Sequence, residues 1–174
     1  MATWKIDAAH TNVGSSVKHM MVSNVRGRFT GVEGTIAGNP KDLANTKINF
    51  KIDVSTIHTN NEDRDNHLRS DDFFDVENHP HITFISTDII KTGDNEYDIT
   101  GDMTMKGETK KTTFKAVYEG SAKNPWDVEV VAFEAEGKVS RKEFGLTWNQ
   151  ALETGGVLVG DEIKISIELQ ANPV

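Results

Sequence analysis

The chain has no cysteine. Disulfides, iron–sulfur clusters and thiol catalysis are therefore excluded, while any redox compartment stays open. Basic residues are also few: 19 Lys and Arg stand against 27 Asp and Glu, for a net charge of -8. Phosphate-rich partners select an excess of cations, so neither a nucleic-acid partner nor an anionic membrane surface is expected. No apolar run is long enough to cross a bilayer as a helix, so no integral membrane segment is read. The opening MATWKIDAAH lacks a positive stretch followed by an apolar core. That start predicts a cytoplasmic location, or a periplasmic or secreted one if a leader has been removed. Internal repeats, low-complexity tracts and linkers are missing too. At 174 residues the chain reads as one domain over 1–174, long enough to bury a full core.

What the chain does have is a hydrophobic period of two. Ile48, Phe50, Ile52 and Val54 alternate with polar neighbours, as do Tyr97, Ile99, Gly101, Met103 and Met105. The same holds for Phe114, Ala116 and Tyr118, for Val131, Phe133, Ala135, Gly137 and Val139, and for Ile163, Ile165, Ile167 and Leu169. Successive side chains on a strand face opposite sides, so each of these strands has one wet and one dry face. Turn residues separate them: Gly38-Asn39-Pro40, Gly93-Asp94-Asn95, and tight corners at Gly107 and Gly120. Strand follows strand with short connections. The expectation is an all-β, up-and-down antiparallel barrel of about eight strands, with a two-sheet sandwich as the competitor.

One segment breaks the pattern. Residues 60–68 read as a short helix, capped by Thr59 or Asn60, with Glu62 and Asp63 in its first turn to suit the helix dipole. Too short to hold alone, it must pack on the barrel near residues 60–69. Phe73 and Phe74 follow it and would be a costly patch if exposed. With Trp4, Met20, Met21, Phe144 and Trp148 they are the extra apolar residues that would plug or cover the barrel ends. A second short turn is expected over 141–144, with Gly145 as its stop.

Candidate chemistry is thin. The chain's 6 histidines include no helical His-x3-His pair, and the rings of His79 and His81 need not converge across Pro80. No metal site is predicted, and rim histidines bonded to backbone are the simpler reading. Asp71, Asp72, Asp75, Glu77, Asp161 and Glu162 read as a solvated surface rather than as a glycosidase pair. No serine sits in a Gly-x-Ser-x-Gly elbow, and Gly155-Gly156 reads as a hairpin turn rather than a phosphate cradle. No catalytic residue is assigned.

Seven short motifs recur in order along the chain: WKIDAAHT at 4–11, VKHM at 17–20, VRGRF at 25–29, DNHLRSDDFF at 65–74, HPHITFIS at 79–86, GDMTMKG at 101–107 and RKEFG at 141–145. In that order and spacing the chain resembles the YceI-like family over essentially its full length. The departures are small. Thr11 stands where the family often has Ser, and Met103-Thr104-Met105 where it often has Leu-Thr-Ile. The resemblance implies a lipocalin-like barrel around an elongated apolar tunnel, and a long-chain isoprenoid, quinone-type or other amphiphilic lipid as ligand. It implies no catalytic activity and no required cofactor.

A packed core is the default for dry-face residues, and the resemblance reverses that default for the barrel's centre. The tunnel lining it implies is Ile48, Phe50, Ile52, Phe84, Ile99, Met103, Met105, Phe114, Phe133, Phe144 and Trp148. Met suits a surface that must accept a flexible chain. His10, His19 and Arg141 are expected at a polar tunnel end, with the two histidines facing each other across a hairpin. Ala116 and Ala135 mark dry-face positions where a tunnel would accept added bulk. Two other readings stay open: an accessory enzyme or redox protein acting on a quinone or lipid headgroup through His10 and His19, and an interaction module with a filled core. Strand edges and family habit point towards a homodimer.

Overall fold

The computed structural model describes residues 3–20, 23–146, 149 and 159–174. Its strands are β1 (Thr3–Ile6), β2 (Asn12–His19), β3 (Ser23–Phe29), β4 (Val32–Ala37), β5 (Lys47–Asp53), β6 (His81–Gly93), β7 (Glu96–Met105), β8 (Glu108–Lys123), β9 (Glu129–Ser140) and β10 (Val159–Pro173). One helix, α1 (Glu62–Arg69), lies between β5 and β6. The strands form one sheet in the order β1-β4-β5-β6-β7-β8-β9-β10-β2-β3, and β1 also pairs with β10. Every pairing is antiparallel.

These segments make eight staves. Strands β1 and β2 run end to end along β10, with Ile6 opposite Ala171 and Asn12 opposite Glu168. Strands β4 and β3 run end to end beside them, with Thr35 opposite Lys5 and Phe29 opposite Val13. Closure between the first stave and β10 completes an eight-strand barrel, as expected from the alternation, and rules out the sandwich. The dry faces are those the period of two predicts. Tyr97, Ile99, Met103 and Met105 of β7 are buried, as are Val131, Phe133, Ala135 and Val139 of β9.

The breaks in the first two staves have local causes. Asp7 caps a single helical turn over Ala8–His10, its Oδ1 accepting from the Ala9 N–H at 3.0 Å. Between β3 and β4, the Thr56 hydroxyl oxygen accepts from the N–H groups of Thr30 and Gly31 at 3.2 and 3.0 Å. Gly31 is needed there, because a Cβ would come within 2.9 Å of Thr56 Cγ2. Below this break β5 has ended, and β3 is tied to the following segment by an isolated bridge between Arg28 and His58. Closure thus removes most of the free strand edges on which a dimer was expected, since every other stave has partners on both sides.

Turns follow the sequence reading with one correction. Lys106 and Gly107 both have positive φ, 51° and 78°, which fits a primed two-residue hairpin between β7 and β8. Gly145, at φ 74°, ends the turn over Lys142–Phe144. Gly120 is not a corner. It lies inside β8 at φ 133°, where the register with β9 shifts between Tyr118 and Gly120, and so forms a bulge.

The inserted helix begins slightly later than the composition indicates. Asn61 is its cap, accepting from the Arg64 N–H at 3.0 Å, while Asn60 takes a left-handed φ of 65° that keeps it outside the helix. Buried Asp65 anchors α1 by accepting from Thr59 N and Thr59 Oγ1, at 2.9 and 2.5 Å. Arg69 donates to the carbonyls of Ser55 and Ile57, at 3.0 and 3.1 Å. The helix and the loop after it therefore dock over the part of the wall that β5 does not reach.

Candidate ligand cavity

The docked segment roofs a cavity of about 240 Å³ at one end of the barrel. Strands β2 and β10 supply one wall, with Val17 opposite Ile163 and Ser15 opposite Ile165. Strands β5, β6 and β7 supply the other, through Phe50, Ile52, Ile82, Met103 and Met105. Leu68, Phe73 and Phe74 close the top. Phe74 meets Phe29 edge-on at 6.2 Å, and Phe73 meets the His67 ring edge-on at 5.0 Å. A smaller cavity of about 50 Å³ lies deeper, lined by Ile48, Phe84, Ile99, Phe114, Ala116, Phe133 and Ala135 among others.

Among the described lining residues, ionisable side chains meet only the larger cavity. They are Lys18, His19, Arg64, His67 and Arg141, and no carboxylate joins them. The overall charge is -8, so the described lining runs against the sign of the whole molecule, with Asp72 Oδ2 2.8 Å from His67 Nε2 as a partial counterweight. Arg141 is the most deeply set, at 3% exposure. Its guanidinium donates to the carbonyls of Gly160 and Leu146, both at 2.7 Å, and of Val159 at 3.3 Å. It also lies 6.0 Å from the centre of the Phe73 ring. Burial pushes Arg141 below its ordinary pKa, and the nearby charge of Asp161 opposes that shift. Asp161 is itself held below the usual carboxylate value, first by the Ser140 hydroxyl, which donates at 2.6 Å. Arg64 donates from Nε to Thr59 Oγ1 at 2.8 Å and from Nη2 to the Thr59 carbonyl at 2.6 Å.

The expected site residues divide between these places. Phe50, Ile52, Met103, Met105, His19 and Arg141 line the larger cavity. Ile48, Phe84, Ile99, Phe114 and Phe133 line the smaller one, which Phe50 also borders. Phe144 is 1% exposed and contributes to neither lining. Trp148 and the Gly155-Gly156 pair lie outside the described residues. His10 does not face His19. It sits in the exposed turn before β2, its Nδ1 2.8 Å from Asp7 Oδ2, while His19 ends that strand. The full length of β2, about 25 Å, separates the two, because a single stave rather than a hairpin joins them.

Several lining residues were not assigned from sequence. Val17, Ile163 and Ile165 lie on dry faces, and the alternation of β10 was a sufficient signal for the last two. His67 and Arg64 come from a helix too short to show an inward stripe. Nothing in the residue pattern points them inward.

The unequal cavities also reverse the expectation for Ala116 and Ala135. These residues lie opposite each other on β8 and β9 beside the smaller void. A phenyl ring there exceeds the free space, and overpacking costs about 1–3 kcal/mol. Ala116→Phe should therefore lower the thermal midpoint. Ile165→Phe, beside the larger cavity, should leave it nearly unchanged. Equal stability of the two variants in melting experiments would show that the two cavities do not differ in this way.

Comparison with known proteins agrees with this architecture. A UPF0312 protein of Staphylococcus epidermidis is 41% identical over 165 residues, covering 94% of each chain. A UPF0312 protein of Staphylococcus aureus is 38% identical over the same length. Among solved structures, the Campylobacter jejuni YCEI protein is similar at 32% identity and a TM-score of 0.75, covering 89% of this chain and 88% of its own. Burkholderia cenocepacia BcnA shares the fold at a TM-score of 0.82 with 23% identity, covering 95% and 98%. A polyisoprenoid binding domain from Saccharophagus degradans shares it at 0.75 with 11% identity, covering 98% of each chain. The model of the YceI-like domain matches residues 4–171, so the chain belongs to the YceI-like family.

Proposed function

We propose that this protein binds a long-chain isoprenoid, quinone-type or related amphiphilic lipid, with its tail inside the barrel and its polar end towards His19 and Arg141. The observation that carries this reading is the larger cavity. It is mostly apolar, and the ionisable side chains among its described lining residues are cationic or imidazole, the carboxylates of Asp72 and Asp161 that act on His67 and Arg141 not being part of that lining. Apolar burial supplies the affinity, at about 0.8 kcal/mol per CH2 group, so an added isoprene unit is worth on the order of 3–4 kcal/mol when fully buried. The cationic end favours an acidic or hydrogen-bond-accepting headgroup. The similarity to a polyisoprenoid binding domain supports the same ligand class at the level of fold. Carriage, storage and sensing would all use this site.

An accessory enzyme using His10 and His19 together is the weaker reading, because the two residues stand at opposite ends of β2. Gentle organic extraction of the purified protein, followed by mass spectrometry, tests the proposal. An amphiphile in near-stoichiometric amount is expected. Protein purified from several hosts without any retained lipid would overturn the reading.

A further inference from the structure

The two cavities share three lining residues: Val13, Phe50 and Ile167. Val13 and Ile167 are register partners on β2 and β10, and Phe50 belongs to the separate wall formed by β5. Together they mark a waist in the barrel. Phe50 is the aromatic residue among them, and it is half-buried, whereas its ring partners are sealed: Phe84 is 1% exposed and Phe114 2%. Phe50 stacks on Phe84 at 5.0 Å with the planes 13° apart, and meets Phe114 edge-on at 6.2 Å. Phe84 and Phe114 meet edge-on at 5.2 Å.

The two sealed rings are seated on glycines of adjacent strands. A Cβ on Gly101 would come within 2.6 Å of Phe84 Cζ, and one on Gly137 within 2.7 Å of Phe114 Cδ1. Each ring thus lies in a niche that any larger residue would close. Phe84 and Phe114 cannot turn aside without losing these seats, and Phe50 leans on both. The three rings form a layer carried by β5, β6 and β8 and seated on β7 and β9.

We infer that Phe50, supported by Phe84 and Phe114, is the specificity-determining floor of the lipid site and sets the longest tail the protein takes. This rests on the ligand reading above and adds a length limit to it. A tail entering from the His19 and Arg141 end fills the larger cavity and stops at the Phe50 ring. The smaller cavity behind it stays out of reach.

The test is a binding series with geraniol, farnesol, geranylgeraniol and longer all-trans prenyl alcohols, on wild type, Phe50→Ala and Phe50→Leu. In the wild type, affinity should rise with each isoprene unit and then level off. In Phe50→Ala the levelling point should move outward by at least one unit. The first alcohol beyond the wild-type limit should bind at least about tenfold tighter to that variant, the gain rising to several hundredfold if its last unit becomes fully buried. Shorter alcohols, whose tails end before the ring, should gain nothing from the substitution. Phe50→Leu keeps an apolar branch at the same position and should shift the limit in the same direction, so it decides the matter if Phe50→Ala does not fold. The same levelling point in all folded variants, or a uniform gain at every length, would overturn the role of Phe50 while leaving the ligand reading intact. No binding of any alcohol to the wild type would instead remove the ligand reading, and the length limit with it.

Discussion

Replacing Phe73 and Phe74 together with Ala is expected to remove most of the protein's stability. Both rings are buried, at 7% and 9% exposure, although they lie in the loop after a helix of only 8 residues. Truncating a buried Phe costs about 3–5 kcal/mol, and a domain of this kind has about 5–15 kcal/mol in total. Because both rings also border the larger cavity, each truncation enlarges a void that already exists, which favours the lower part of that range. Urea unfolding should show a midpoint near zero denaturant or a large fall from wild type. An unchanged midpoint would mean that residues 59–74 do not depend on these rings for docking.

Arg141→Met should be the other severe change. The stem is kept, but the carbonyls of Gly160 and Leu146 lose the guanidinium that pairs with them, while that of Val159 keeps the Asn149 amide at 2.7 Å. A buried acceptor left without a donor costs about 1–3 kcal/mol. The turn's own backbone bonds remain in the variant, since the Arg141 backbone N–H donates to the Asp161 carbonyl at 2.9 Å and the Leu146 N–H to the Arg141 carbonyl at 3.0 Å, so the loss comes from the guanidinium alone. Stability should fall by several kcal/mol in denaturant titrations. Arg141→Lys should recover little of it, because an ammonium cannot reproduce a planar fork aimed at three acceptors. Full recovery by Lys would show that charge alone matters at this position.

The strands were legible because their information is local. Alternation at Ile48, Phe50 and Ile52, or at Tyr97, Ile99, Met103 and Met105, states which side is dry, and the barrel uses those sides as read. The helix, the Lys106 and Gly107 hairpin and the Gly145 stop were legible for the same reason. What periodicity cannot state is whether a dry face meets a neighbour or a void. Phe114 and Met105 look alike in sequence, yet one is seated against a glycine and the other borders the larger cavity. The places where His10 and Gly120 departed from expectation depend on long-range pairing. His10 follows from a break in a stave whose partner lies some 160 residues away, as the Thr11 hydroxyl accepting from the Gln170 N–H shows, and Gly120 follows from a register shift against β9. Arg64 and His67 reach the cavity only because β5 stops short and α1 takes its place in the wall.

The seam of the barrel has a consequence for how the chain reaches this state. Seven of the eight stave contacts join neighbours in sequence and can zip in turn as the chain collapses. The eighth joins Trp4 to Pro173 and Asn12 to Glu168, across nearly the whole polypeptide. Loop-closure entropy must be met there before any hydrogen bond rewards it. The cavity wall formed by Val17 and Ile163 belongs to that contact, so the interior is not enclosed until it forms. Before it, the curled sheet is an open trough whose apolar lining faces water. On the ligand reading proposed above, a lipid present at that stage would meet this lining before it closes, and loading and closure of the ring would then be one event.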